Sequence, residues 1–179
     1  MESGYLKESS LQVVDWQVIV KKHGPIVWKT AYRLLGNHTD AADCFQETFV
    51  CALEFSRRQY VFNFSALLVR LATARAIDRL RRRMREPNVG TGTADYVDVP
   101  SDDVEPYQHI QAKELAEGLR EALTQLPQQE AQVFCMRYLN NMSYRQIARQ
   151  LGIKNSTTGV LLHRARTKLR EHLEKAAVT

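Results

Sequence analysis

N-M-S-Y-R-Q-I-A-R-Q-L-G-I-K-N-S-T-T-G-V-L-L-H-R-A-R-T-K-L-R-E-H-L, residues 141 to 173, is the stretch on which the fold turns. Ser143 followed three positions later by Gln146 spells a capping box, and Met142 and Ile147 stand where a hydrophobic staple closes the start of a helix. A short helix is therefore expected from Ser143, with Ile147, Ala148 and Leu151 inward and Gly152 at the left-handed position that ends it. Asn155 or Ser156 is placed to cap a second, longer helix, in which Leu162, Ala165, Leu169 and Leu173 recur at helical spacing. Two helices on a short link, the second bearing Arg164, Arg166, Lys168 and Arg170, match a helix-turn-helix, whose second helix lies in the major groove of DNA. A plain amphipathic hairpin with a solvated basic face would use the same residues, and the rest of the chain weighs against it.

Working outward, 179 residues with 44% hydrophobic content suit one domain or two small ones. No apolar run is long enough to span a bilayer, and Met1 to Asp15 has neither a basic start nor a continuous apolar core, so a cytoplasmic protein is expected. Cys44, Cys51 and Cys135 are odd in number and widely placed, which fits reduced thiols. On one helix Cys44 and Cys51 would stand about 10 Å apart along the axis, too far to share an ion. His109, His163 and His172 form no ligand pair with them, so neither a metal nor a cofactor is expected. The net charge is +5, and its distribution says more than its size. Arg57, Arg58, Arg70, Arg75, Arg79, Arg81, Arg82, Arg83 and Arg85 are opposed only by Asp78. The stretch from Pro87 to Gln111 then holds Asp95, Asp98, Asp102, Asp103 and Glu105 with no Lys or Arg.

The periodicity predicts an all-α protein of two small helical domains joined by a flexible linker, the second domain a helix-turn-helix. A short helix is expected around Leu11 to Lys22, and another after Pro25 with Val27, Ala31, Leu34 and Leu35 inward and Gly36 as its stop. From His38-Thr39-Asp40 a third helix turns Ala41, Cys44, Phe45, Thr48, Phe49 and Ala52 inward and leaves Asp40, Asp43, Glu47 and Glu54 mostly opposite. A fourth runs from Phe64 to Glu86 with Phe64, Leu67, Leu68, Leu71 and Ala74 inward, ending before Pro87. Residues 1–86 make the first domain, 87–111 an acidic linker, and 112–179 the second domain. The second domain begins with a helix from Ala112 to Gln125. Leu126-Pro127 then opens a helix with Ala131, Phe134, Cys135 and Tyr138 on one side.

Together these stretches resemble the bacterial sigma-70 family in its two-domain extracytoplasmic-function (ECF) form. D-A-A-D-C-F-Q-E-T-F, Asp40 to Phe49, is similar to the family's core-binding helix. F-S-A-L-L-V-R-L-A-T-A-R-A-I-D-R-L-R-R-R, Phe64 to Arg83, resembles the helix that melts the promoter and reads its −10 element. L-P-Q-Q-E-A-Q-V-F, Leu126 to Phe134, and the helix-turn-helix resemble the domain that reads the −35 element. The resemblance implies a non-enzymatic RNA polymerase sigma factor, with core polymerase (β′ clamp helices and β flap) and promoter DNA as partners and an anti-sigma factor as a family expectation. It assigns core binding to Asp43, Gln46 and Glu47, whose acceptor-rich surface suits a basic partner. It assigns −10 contacts to Tyr60, Phe62, Arg75, Arg79 and Arg82: the arginines recur at about one turn and can follow phosphates, and aromatics beside them can stack on unstacked bases. It assigns −35 contacts to Arg145, Ser156, Thr157, Thr158, Leu161, Arg164 and Lys168. The linker, two dozen residues reaching up to about 80 Å, could set two DNA-binding modules a couple of 34 Å turns apart.

Some positions depart from the family's pattern. Leu67 and Ala74 stand where a tryptophan and an asparagine are common, and Gly159 and Leu161 where a basic residue and an arginine are. With Thr157, Thr158, Val160, Leu161 and Arg164 toward the groove, apolar side chains could touch a thymine methyl but not make arginine's bidentate guanine contact. An unusual −35 preference is the expectation. The rival class is a stand-alone helix-turn-helix regulator that binds duplex DNA without polymerase. That class leaves the second arginine patch and the acidic helix without a purpose.

Overall fold

The computed structural model describes residues 14–85 and 106–178, and every regular element among them is an α-helix, as the periodicity predicts. The order is α1 (Trp16–Leu35), α2 (His38–Arg58), α3 (Phe64–Arg85), α4 (Pro106–Gln125), α5 (Gln128–Tyr138), α6 (Tyr144–Leu151) and α7 (Asn155–Val178).

In α1 the Asp15 side chain accepts hydrogen bonds from the Gln17 and Val18 N–H groups at 3.0 and 3.2 Å, satisfying two of the helix's orphan donors. The two helices expected on either side of Pro25 are one continuous helix. A mid-helix proline costs about 3 kcal/mol, and here burial offsets it. Gly24, Val27, Thr30 and Ala31 all lie in the core around that turn, and α1 packs along both α2 and α3. Leu11 to Val13, the start of the first expected helix, fall outside the described residues. Gly36 stops α1 as expected: its φ of 74° is left-handed and its N–H donates to the Tyr32 carbonyl. A side chain there would also strike the Arg120 guanidinium, 2.8 Å from an ideal Cβ.

The stripe expected on α2 is found, with Ala41, Cys44, Thr48, Phe49 and Ala52 buried and Phe45 half-buried. Asn37 caps this helix, accepting from the Asp40 N–H at 2.8 Å. The fourth expected helix is α3, and it is buried on more sides than one stripe implies. Leu67, Leu68 and Ala72 pack with Val27, Phe49 and Val61. A second set faces the other way: Ala66 and Val69 meet Val133, Met136, Met142, Ile147, Leu161 and Leu162, while Ala76, Ile77 and Leu80 share a core with Leu123, Leu126, Ala131, Cys135 and Leu169. So the two helix groups, α1–α3 and α4–α7, pack on one another through α3.

Polar contacts close the same seam. Thr30 Oγ1 lies 2.7 Å from the Asn140 side-chain amide, Arg33 donates to the Leu139 carbonyl at 3.2 Å, and Gln128 reaches Asp78 at 3.4 Å. Arg120 donates to the Leu34 and Arg33 carbonyls at 3.1 and 3.3 Å, serving the open C-terminal end of α1 from the opposite group.

Helix α4 starts earlier than the periodicity predicts. Residues 106–111, read as the end of the linker, are its first turns, with Pro106 as the opening residue, a place where proline's missing N–H is not needed. The acidic residues Asp95 to Glu105 lie outside the described residues.

Candidate nucleic-acid and partner interfaces

The helix-turn-helix is built as its sequence dictates. The Ser143 hydroxyl accepts from the Gln146 N–H at 3.3 Å while Gln146 Oε1 accepts from the Ser143 N–H at 2.8 Å, so the capping box is complete. Gly152 is left-handed, with φ of 65°, and the Ile153 N–H returns to the Ala148 carbonyl at 3.0 Å. Neither Asn155 nor Ser156 precedes the second helix as a cap. Helix α7 already begins at Asn155, and the Lys154 carbonyl accepts its first bond, from the Thr158 N–H at 3.1 Å.

Three of the residues assigned to the −35 element do not face outward. Thr158 is fully buried and its hydroxyl points back toward the Lys154 carbonyl, and Leu161 is buried in the cluster with Ile147 and Val133. The reason is helical phase: the inward stripe of Leu162, Ala165 and Leu169, followed back by one turn, arrives at Leu161 and Thr158. Lys168 is committed to the protein, its ammonium 2.9 and 3.1 Å from the two oxygens of the buried Glu130 carboxylate. Facing solvent on α7 are Ser156, Thr157, Val160, His163, Arg164 and Thr167, joined by Arg145 of α6. His163, weighed in the sequence only as a metal ligand, and Thr167 share this face, one turn beyond Val160 and Arg164 respectively.

The second surface spans α2 and α3. Asp43, Gln46 and Glu47 are exposed on α2, but the two acids are already paired. Arg79 Nη2 donates to Glu47 at 2.6 Å, and Nη1 lies 3.3 Å from Asp43 and 3.7 Å from Asp40; Arg83 backs Asp40 at 3.7 Å. Burial alone would lower the Arg79 pKa, but the hydrogen bond to Glu47 and the charges of Glu47, Asp43 and Asp40 outweigh it and leave it raised. Three more arginines of α3 are similarly occupied. Arg75 donates to Cys51 Sγ at 2.7 Å, Arg81 to the Leu126 carbonyl at 2.7 Å and Arg83 to the Leu35 carbonyl at 3.1 Å. Arg82 is exposed and has no ion pair among the described residues.

Between α2 and α3, Tyr60 and Phe62 meet edge to face with centroids 4.9 Å apart, and Phe62 is 94% exposed. Phe64 instead packs inward, edge-on to Trp16 at 5.8 Å. The aromatic pair borders a cleft of about 580 Å³ whose other wall is α6, through Arg149 and Gln150. Arg70, which also lines it, sits 5.7 Å over the Phe55 ring; its Nε has no partner among the described residues and burial lowers its pKa. In the sequence Arg70 is only one of the arginine run and Arg149 carries no signal, because only the packing of α6 against α3 brings them to one cleft. Among the described residues no group of His, Cys, Asp and Glu could hold a metal ion, and no helix is long and apolar enough to cross a membrane.

Against known families, residues 19–86 match sigma-70 region 2 and residues 116–169 match sigma-70 region 4. The chain is 33% identical over 161 residues to the ECF RNA polymerase sigma factor SigE of Mycolicibacterium smegmatis, covering 90% of this chain and 62% of that one. It is 29% identical over 154 residues to the ECF sigma factor SigW of Bacillus subtilis, covering 82% of each chain. The chain thus spans less than two thirds of SigE's length and most of SigW's. Among solved structures, the fold is similar to CnrH in complex with the cytosolic domain of CnrY (TM-score 0.55, 21% identity, 89% of this chain and 88% of that one). It is also similar to the sigma factor RpoE in complex with the anti-sigma factor NepR from Bartonella quintana (TM-score 0.53, 23% identity, 90% and 98%).

Proposed function

We propose how this chain, which belongs to the extracytoplasmic-function RNA polymerase sigma factors of the sigma-70 family, divides promoter recognition among its surfaces. Helix α2 offers Asp43, Gln46 and Glu47 to core polymerase, at the β′ clamp helices, and the second helix group meets the β flap. Tyr60 and Phe62 take up unstacked bases of the −10 element, with Arg82 following its phosphates. The outward face of α7, Ser156, Thr157, Val160 and Arg164, reads the −35 element in the major groove, with Arg145 on the backbone. The chain works by binding alone, in the cytoplasm where polymerase is, and an anti-sigma factor is the expected inhibitor.

The observation that carries this reading is the exposed Tyr60–Phe62 pair beside an arginine-rich helix, in one chain with a complete helix-turn-helix. Large aromatics left in water at a basic surface suit base stacking, each contact contributing about 1 to 3 kcal/mol, which offsets the few kcal/mol of unstacking a base. On the −35 side, an apolar Val160 and two hydroxyls give few base hydrogen bonds, so groove shape and backbone contacts are expected to carry more of the selection.

The packing of the two helix groups bears on how both elements are read. A packed body of this size has a diameter of about 40 Å, and two turns of duplex span about 68 Å. Reading both elements at once therefore requires α4–α7 to part from α3. The test is to add the full chain to core RNA polymerase and score transcription from selected promoters, beside a gel shift without polymerase. Promoter-specific transcripts only with polymerase are expected. A tight, specific shift of duplex DNA by the chain alone, with no transcription, would instead favour a stand-alone regulator.

A further inference from the structure

We propose that Arg79 is a shared counter-ion that couples attachment to polymerase with DNA binding: it neutralises Asp43 and Glu47 in the free chain and is released toward a phosphate when a cationic partner surface takes over those acids. The proposal rests on the reading of α2 as the polymerase-facing helix.

The geometry sets the roles. Asp43 and Glu47 are i, i+4 on one helix and repel each other unless a cation sits between them. Arg79 is their only ion-pair partner among the described residues, using Nη1 for Asp43 and Nη2 for Glu47. Its own side chain is 23% exposed, lying beneath acids that are 54% and 46% exposed. An incoming cation therefore meets the carboxylates first, from the solvent side. Asp40 keeps Arg83 when Arg79 leaves, so the exchange strands no acid.

The exchange also changes what DNA meets. While Arg79 is held, two carboxylates surround one guanidinium and the patch is net negative, a poor neighbour for a phosphate. Once a partner's cations hold the acids, the guanidinium has donors to spare on the helix that already carries Arg82 one turn on. Arginine suits this because its fork of donors serves a carboxylate or a phosphate with the same geometry. Arg75, Arg81 and Arg83 have no such freedom, being tied to a thiol and to two buried carbonyl ends.

The test uses the full chain without polymerase and a labelled single-stranded −10 oligonucleotide, read by fluorescence anisotropy over a salt series. The D43N/E47Q variant is expected to bind about three- to ten-fold tighter than the native chain, with a salt dependence steeper by about one phosphate contact. In an R79Q background the same two changes are expected to leave affinity unchanged. If the acids' removal gains nothing, or gains as much without Arg79, the proposal is overturned, the second outcome being a general field effect. Should the double variant fold poorly by circular dichroism, Glu47→Gln alone removes the 2.6 Å contact and makes the same comparison. Failure of the polymerase reading shows separately, as undiminished attachment of D43N/E47Q to core polymerase.

Discussion

Helices α3 and α7 each carry a run of basic residues, and they use them in opposite ways. On α3, Arg79, Arg81 and Arg83 are bound to carboxylates and carbonyl ends of the protein itself, and Arg75 to a thiol. On α7, Arg164, Arg166 and Arg170 are exposed, while Lys168 is held inward by Glu130. The difference follows from position. Helix α3 lies in the middle of the molecule with neighbours on both sides, so its long side chains find partners before they find water. Helix α7 lies at the edge, with one buried seam. A cluster of arginines in a sequence therefore measures charge and says nothing of how much of it is free to meet DNA.

The largest effect expected concerns the seam beside α3. Asp78→Cys and Gln128→Cys, in a Cys51→Ser background and joined by a short cleavable crosslinker, should abolish promoter-dependent transcription and restore it on cleavage. Transcription that survives the bridge would mean that both elements are read with the two helix groups together. Next, Leu80→Ala empties a fully buried site shared by both groups. It should cost about 2 to 5 kcal/mol in denaturant unfolding, with the groups still melting in one transition. Separate transitions would show that α3 does not join them.

The contrast between the two helices sharpens with single changes on α7. Lys168→Ala leaves the Glu130 carboxylate buried without its cation. It should destabilise by about 1 to 3 kcal/mol, below the range for a fully buried pair because the lysine is 42% exposed. Arg164→Ala should change stability by less than about 0.5 kcal/mol, yet weaken −35 duplex binding and lower its salt slope by about one. If the two variants exchanged phenotypes, the assignment of faces on α7 would be wrong.

The smallest effect is chemical. Burial pushes the Cys44 thiol up to about 11 and Cys135 up to about 12. An alkylating reagent should therefore modify only Cys51 in the folded chain, and all three thiols after denaturation. Since the unfolded thiols ionise near 9.0 and the folded ones do not, this contribution to stability is whole below pH 9 and is lost as pH rises toward 11 and beyond. A folded chain alkylated at three sites would contradict the burial.

What could be read in the sequence was what is local. The Ser143–Gln146 box, the glycines at 36 and 152 and the stripe on α2 are each written within a few residues, and each is found. Continuity of α1 through Pro25 was not legible, because the packing that offsets the proline comes from α2 and α3. Nor was the second face of α3, although Ala66, Val69, Thr73, Ala76 and Leu80 recur at helical spacing and offered a signal. Placing Thr158 and Leu161 in the groove misread the phase of α7 by less than a turn. The partners of Arg79, Arg81 and Arg83 lie more than 30 residues away in sequence, and only the folded chain brings them together.

The most direct measurement is the affinity of the full chain for core RNA polymerase, with and without the acids of α2. Titrating labelled native chain and the D43N/E47Q variant onto core enzyme should show the variant weaker by about ten-fold, or roughly 1.4 kcal/mol, with a flatter dependence on salt. Equal affinities at every salt concentration would contradict the account, since Asp43 and Glu47 would then serve Arg79 and not the polymerase.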